Sequence, residues 1–198
     1  EKKIKSSVND MESSVLHYLM AAEASQKDGN IESFKDWLEQ AKQKYPVAET
    51  YINLHAAQLM IESKNYDSAR KFINTTLDKE PNNPTALKFL TEVYYEASDW
   101  KSMTENAKKF LDVTGNDPKL ERYFSRAFSQ QAKALSGNAE ELKNLWSRLP
   151  SVIENTTPIL IARLGSLIEI GQHESAEKEL RKMIPKIWNP ELIALYAK

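Results

Sequence analysis

An aliphatic or aromatic residue recurs at Ile31, Tyr66 and Trp100, at intervals of 35 and 34 residues, and each opens an apolar stripe with the 3.6-residue period of a helix. After Ile31 the stripe is Phe34, Leu38 and Ala41; after Tyr66 it is Ala69, Phe72, Ile73, Thr76 and Leu77; after Trp100 it is Met103, Ala107, Phe110 and Leu111. Another apolar-periodic segment precedes each stripe, over 15–26, 48–63 and 85–97. Lys-Tyr-Pro ending at Pro46 and Lys-Glu-Pro ending at Pro81 close two of the stripes 35 residues apart, because proline cannot continue a helix. The repeating unit is therefore a helical hairpin. A unit this short cannot bury its apolar face alone and must stack on its neighbours.

Beyond Gly115 the period loosens while the helical pattern continues. Leu120, Phe124, Phe128 and Leu135 share one helix face, and Leu142, Leu145, Trp146 and Leu149 share a shorter one ended by Pro150. A further hairpin runs from Pro158 to Ile170, turns at Gly171, and continues from His173 to Met183 with Ala176, Leu180 and Met183 on its stripe. His173 lies 73 residues after Trp100, which accommodates one unit of about 34 residues and one stretched to about 39. Gly29, Gly115, Gly137 and Gly171 fall where helical patterns stop. With five glycines in all and no alternating segments, the chain lacks the turn chemistry of a sheet protein.

Composition removes several function classes. Lys and Arg number 27 against 28 Asp and Glu, for a net charge of -1, so the basic excess that phosphate neutralisation needs is missing and nucleic acid is not the expected partner. The absence of cysteine excludes disulfides, thiolate metal sites and cysteine nucleophiles. No stretch approaches the ~18 uncharged apolar residues of a membrane span, so this piece is expected to be soluble. It opens at Glu1 without methionine and stops just after a fresh apolar pattern, Leu192, Ile193, Leu195 and Tyr196, which reads as part of a longer chain.

The period near 34, the small residue Ala69 where two helices would cross, and the closing Pro81 resemble the tetratricopeptide repeat. That resemblance implies an all-α fold: one right-handed α-solenoid of tetratricopeptide-like helical hairpins over 1–198. Three hairpins are regular (12–113), one is irregular and stretched (114–150), and 151–198 holds a final hairpin and the start of another repeat. In the last third, Leu142-Lys-Asn-Leu-Trp146 through Pro150, Pro158-Ile-Leu160-Ile-Ala162, Leu167 to Gly171, Ala176 to Arg181, and Trp188-Asn-Pro-Glu-Leu192 follow one another as in the HemY-like tetratricopeptide proteins of bacterial haem biosynthesis. The resemblance implies a non-catalytic scaffold anchored in the bacterial inner membrane by preceding spans, with its repeats on the cytoplasmic side. Its partners would be proteins, the enzymes of haem and porphyrin metabolism among them, and Lys2, Lys3 and Lys5 would continue a membrane-proximal stem.

On a solenoid of this kind the first helix of each hairpin lines the inner surface. Register from Pro81 turns Tyr51, Leu54, His55, Gln58 and Glu62 inward in the second hairpin, and Thr85, Lys88, Phe89, Glu92 and Tyr95 in the third. Tyr51, His55, Gln58, Lys88, Phe89, Glu92 and Tyr95 are the candidate partner-binding residues, since aromatics give large contact area at small entropic cost. The alternative is packing between neighbouring helices, above all for Phe89 and Leu54. A chaperone-tail clamp is not matched, because Leu54 and Gln58 stand where its polar residues would be.

Chemistry finds little else to use. His17, His55 and His173 lie in different hairpins, without the spacing of a metal site. His55, with Tyr51 one turn away, is a candidate axial ligand in a haem or porphyrin carrier, against the simpler reading of an ordinary helix residue; otherwise no cofactor is expected. Glu140-Glu141 and Glu177/Glu179 read as solvated faces with Glu174–Lys178 and Glu177–Arg181 pairs. No Gly-x-Ser-x-Gly, phosphate loop or dinucleotide fingerprint occurs, so the chain is read as non-enzymatic. Trp37, Trp100, Trp146 and Trp188 stand at stripe positions and are expected to be buried between helices.

Overall fold

The computed structural model describes residues 2–115, 117–183, 185, 187 and 189–196, with side chains described within 15–194 of these. Among the described residues the fold is all-α: α1 (Lys2–Lys27), α2 (Ile31–Lys44), a 3-10 turn (Pro46–Ala48), α3 (Glu49–Glu62), α4 (Tyr66–Lys79), α5 (Pro84–Glu96), α6 (Trp100–Thr114), α7 (Pro118–Ala134), α8 (Ala139–Ser147), α9 (Thr157–Glu169), α10 (His173–Met183) and α11 (Pro190–Tyr196). α1 starts well before residue 15, since no proline or glycine interrupts the residues ahead of its apolar stripe. α8 stops at Ser147, so Leu149 and Pro150 lie in the turn beyond it.

α2, α4, α6 and α8 open in the same way. The side chains of Asn30, Asn65, Asp99 and Asn138 accept hydrogen bonds from the backbone N–H groups of Ser33, Ser68, Ser102 and Glu141, at 3.0, 3.2, 3.1 and 3.2 Å. Each thereby satisfies a donor that the first helical turn leaves orphaned. The residue before each cap is left-handed: Gly29 has φ 74°, Lys64 59°, Ser98 54° and Gly137 81°, and Gly171 ahead of α10 has φ 77°. A Cβ at Gly29 would meet nothing within 4 Å, so backbone conformation and not crowding favours glycine there.

In four of these turns the residue following the left-handed one returns its N–H to a carbonyl five residues back. The pairs are Asn30 to Ser25, Asn65 to Met60, Asp99 to Tyr94 and Gln172 to Leu167, each at 2.8 Å. At Asn30, Asn65 and Asp99 one compact turn thus ends the first helix in a Schellman motif and caps the second. Between α7 and α8 the Asn138 N–H instead reaches Leu135, at 3.0 Å, and this is where the chain is stretched. The even-numbered helices begin at 31, 66, 100, 139 and 173, so the longer interval is the first of the two that follow Trp100.

The fourth residue of each even-numbered helix is buried to 2% exposure or less: Phe34, Ala69, Met103, Leu142 and Ala176. The helices group into two compact units, Glu1–Val93 and Tyr94–Lys198. In the first, α1 packs on α2 and α3 on α4, around Leu19, Phe34, Leu38, Ile52 and Ile73. Phe34 meets Phe72 edge-on at 6.2 Å, tying α2 to α4. In the second, α7 packs against α6 and α9, with Phe110 edge-on to Phe124 at 6.3 Å. α9, α10 and α11 close around Leu160, Leu164, Leu180 and Leu192. Each of these large buried side chains contributes about 1.5–3 kcal/mol by leaving water.

The tryptophans depart from expectation. Trp37, Trp100 and Trp146 are half-buried; Trp37 meets Tyr18 and Trp146 stacks on Phe128, so each indole covers a seam while one edge stays wet. Trp188 lies outside the described residues.

Two predictions follow from the turns and from the crossing position. Lys64→Gly and Ser98→Gly should each stabilise the protein by about 0.5–1 kcal/mol, because relief of the left-handed strain exceeds the extra freedom of the unfolded chain; urea unfolding reads this, and a loss of stability would overturn it. Ala69→Trp should cost about 1–3 kcal/mol or more by overpacking, seen as a fall in melting temperature, whereas an unchanged midpoint would mean that the α3–α4 crossing lies elsewhere.

Candidate partner-binding face

α3 carries Tyr51, His55, Gln58 and Glu62 at the four-three-four spacing that places side chains on one helix face. Tyr51 is 52% exposed, Gln58 and Glu62 are exposed, and His55 and Leu54 are half-buried. The Tyr51 and His55 rings lie roughly parallel, with centroids 6.4 Å apart. Gln58 Nε2 donates to Glu62 Oε1 at 3.0 Å. His55 Nε2 is buried and, among the described residues, has no hydrogen-bond partner. In this conformation it is shielded from solvent, so His55 does not present that nitrogen to an approaching haem.

Thirty-five residues earlier, α1 carries the same spacing in Leu16, Met20, Glu23 and Lys27. Leu16 is 45% and Met20 65% exposed, beside the buried Val15, Leu19 and Ala22. Lys27 Nζ donates to Glu23 at 2.7 Å. That hydrogen bond and the Lys27 charge hold the Glu23 carboxyl below its ordinary value, with a smaller contribution from His55. Glu62 in turn adds slightly to the raised pKa of Lys27, whose main cause is Glu23. α1 packs on α3, so the two helices carry their exposed stripes next to each other. The face they form has an apolar end, Leu16, Met20 and Tyr51, and a charged end, Glu23, Lys27 and Glu62.

Leu16 and Met20 are absent from the candidates chosen by sequence. Their signal was a second apolar pair on α1, one residue out of step with the buried stripe and one period ahead of Tyr51. Of the α5 candidates, Lys88, Phe89 and Glu92 are half-buried and Thr85 is exposed. Tyr95 is engaged within the second unit. Its ring stacks on Tyr123 at 3.8 Å and 10°, meets the edge of Trp100 at 5.7 Å, and its hydroxyl accepts from Arg126 Nη1 at 2.9 Å. A ring stacked on one neighbour, crossed by a second and hydrogen-bonded at its hydroxyl braces the helices around it.

His17 and His173 are exposed on separate helices, and among the described residues no group of three potential ligands gathers to hold a metal. Glu177 pairs with Arg181 at 2.7 Å, as its spacing implied. No helix among the described residues is long and apolar enough to cross a membrane. The side chains of Lys2, Lys3 and Lys5 lie outside the described residues.

No family model and no solved structure matches this chain. Among curated proteins it is similar to Protein HemY of Escherichia coli (strain K12), with 24% identity over 182 residues that make up 90% of this chain and 46% of that protein. Protein HemY of Shigella flexneri gives the same identity and coverage. The chain thus spans somewhat under half the length of the curated relatives it matches, and the similarity supports a HemY-like relationship.

Proposed function

We propose that this chain is a non-catalytic protein-interaction module, a solenoid of tetratricopeptide-like hairpins that forms part of a HemY-like scaffold linked to haem biosynthesis. The carrying observation is that α1 packs on α3 and that Leu16 and Met20 of the one and Tyr51 of the other stay exposed, with the charged Lys27 and Glu62 further along the same stripes. Exposed large apolar side chains with charges along the same stripes are the kind of surface a partner desolvates on docking. Met adapts its shape to a partner while Tyr offers a rigid, amphipathic anchor. A helix or segment with an apolar edge and a complementary charged end fits this face, and the HemY similarity supports looking for it among the proteins of haem synthesis. In the full-length protein, by the same resemblance, the module would sit on the cytoplasmic side of a bacterial inner membrane.

The test is crosslinking and pull-down from native membranes with the full-length protein, comparing Met20→Ala/Tyr51→Ala with Tyr95→Ala. The first variant should retain its melting temperature and lose about thirtyfold in partner affinity, the equivalent of one anchor of ~2 kcal/mol. Tyr95→Ala should lower the melting temperature, because it removes a stacked and hydrogen-bonded brace. A folded Met20→Ala/Tyr51→Ala variant that keeps its partner would remove the α1–α3 face from consideration.

A further inference from the structure

The second unit carries an unusual row of charge on α7. Lys119, Arg122, Arg126 and Lys133 are all exposed, and the rotation per residue of an α-helix puts them within an arc of about 60°. Glu121, the single acidic residue of α7, is half-buried and lies at least about 100° round from this ridge. Among the described residues no carboxylate forms an ion pair with Arg122, Arg126 or Lys133. Elsewhere cations stand beside carboxylates three or four residues away, as Lys27 does with Glu23, Lys42 with Glu39 and Arg181 with Glu177. On α7 Lys119 and Arg126 stand three and four residues from Arg122, like charges that weaken a helix, and Lys133 has Ser129 and Gln130 at the corresponding places. The row therefore has a cost to folding that no carboxylate ion pair of Arg122, Arg126 or Lys133 offsets among the described residues.

Its geometry is braced. Lys119 stands over the Tyr123 ring and Arg126 over Tyr95, each 5.4 Å from the ring centroid, and the two rings are stacked on each other. Beside the ridge, Glu121, Arg122, Arg126 and Gln130 of α7 share a cleft with Thr156 and Pro158; the Ser125, Ser129 and Thr156 hydroxyls there are engaged with one another and with backbone carbonyls, so the guanidinium and amide groups are the donors the cleft offers. From Lys119 to Lys133 the ridge runs about 21 Å at 1.5 Å per residue, the length of some six residues of extended chain.

We propose that this ridge docks an acidic segment of a partner protein, a run of Asp and Glu laid along α7. This rests on the reading of the chain as a protein-binding module, but uses a helix separate from the α1–α3 face. Charge complementarity selects the occupant. The Tyr95 and Tyr123 faces are already covered by each other and by cations, leaving no platform on which nucleic-acid bases could stack. None of the exposed large apolar side chains belongs to α7, so the ridge has nothing to insert into a lipid surface.

The experiment is fluorescence anisotropy with a fluorescein-labelled glutamate decapeptide, using a glutamine decapeptide, oligo-dT of equal charge and phosphatidylglycerol vesicles as comparisons. The glutamate peptide should bind, at least about tenfold more weakly when salt rises from about 50 to about 300 mM, and the glutamine peptide should not. Arg122→Gln/Lys133→Gln, which leaves the tyrosine stack untouched, should lose at least about tenfold in affinity with an unchanged circular-dichroism melt, while Arg122→Lys should retain binding because it keeps the charge. No binding of the glutamate peptide, equal binding by the folded double-Gln variant, or tighter binding of oligo-dT or vesicles would overturn the proposal. None of these outcomes bears on the α1–α3 face, which stands or falls with Met20→Ala/Tyr51→Ala.

Discussion

A left-handed residue followed by a capping side chain is the constraint from which the rest of this chain is built. At Gly29-Asn30, Lys64-Asn65 and Ser98-Asp99 the same hydrogen bond to the carbonyl five residues back ends one helix, while the Asn or Asp side chain starts the next. Because the turn is short and rigid, it fixes the rotation of the second helix about its axis. The fourth residue is buried each time, whether it is Phe34, Ala69 or Met103. The position is defined by backbone geometry, and side chains of very different volume adapt to it. Where the turn is looser, before Asn138, the interval between second helices grows and α8 is short.

None of these helices is stable by propensity alone. α2, α4 and α6 have 14 to 15 residues, close to the length at which an isolated helix is marginal in water. Their apolar stripes gain stability only against a neighbour, as when Phe34 reaches Phe72 and Phe110 reaches Phe124. The α9–α11 cluster around Leu160, Leu164, Leu180 and Leu192 does the same for the last hairpin. Burial consumes one face of every helix, and the remaining faces are where function has room.

Those remaining faces are not alike. Some carry charges in opposite-sign neighbours, as Lys42 with Glu39 and Arg181 with Glu177. The α1–α3 face instead leaves Leu16, Met20 and Tyr51 in water, and α7 sets four cations in a row. Both arrangements cost something when the protein is alone. Apolar burial and charge pairing with a partner would offset those costs, which is the physical content of reading the chain as a binding module.

The all-α class, the second-helix stripes and the stretched interval near the middle were legible in the residues, because apolar periodicity and the spacing of helix starts are local properties. The Asn and Asp caps were legible too, each with its Ser or Glu three residues on, but hydrophobic pattern alone passes over them. The fate of a side chain on a first helix was not legible. Leu16 and Tyr51 share a spacing with buried residues, and only the position of the next helix decides which is covered. Tyr95 sits at a position equivalent to exposed ones, yet its role is set by Tyr123 and by Arg126, 31 residues away. The burial of His55 Nε2 likewise depends on what packs around the ring. Local pattern dictates which segments coil and which stripe seeks a neighbour; which residues stay exposed to bind follows from long-range packing, which only the tertiary structure decides.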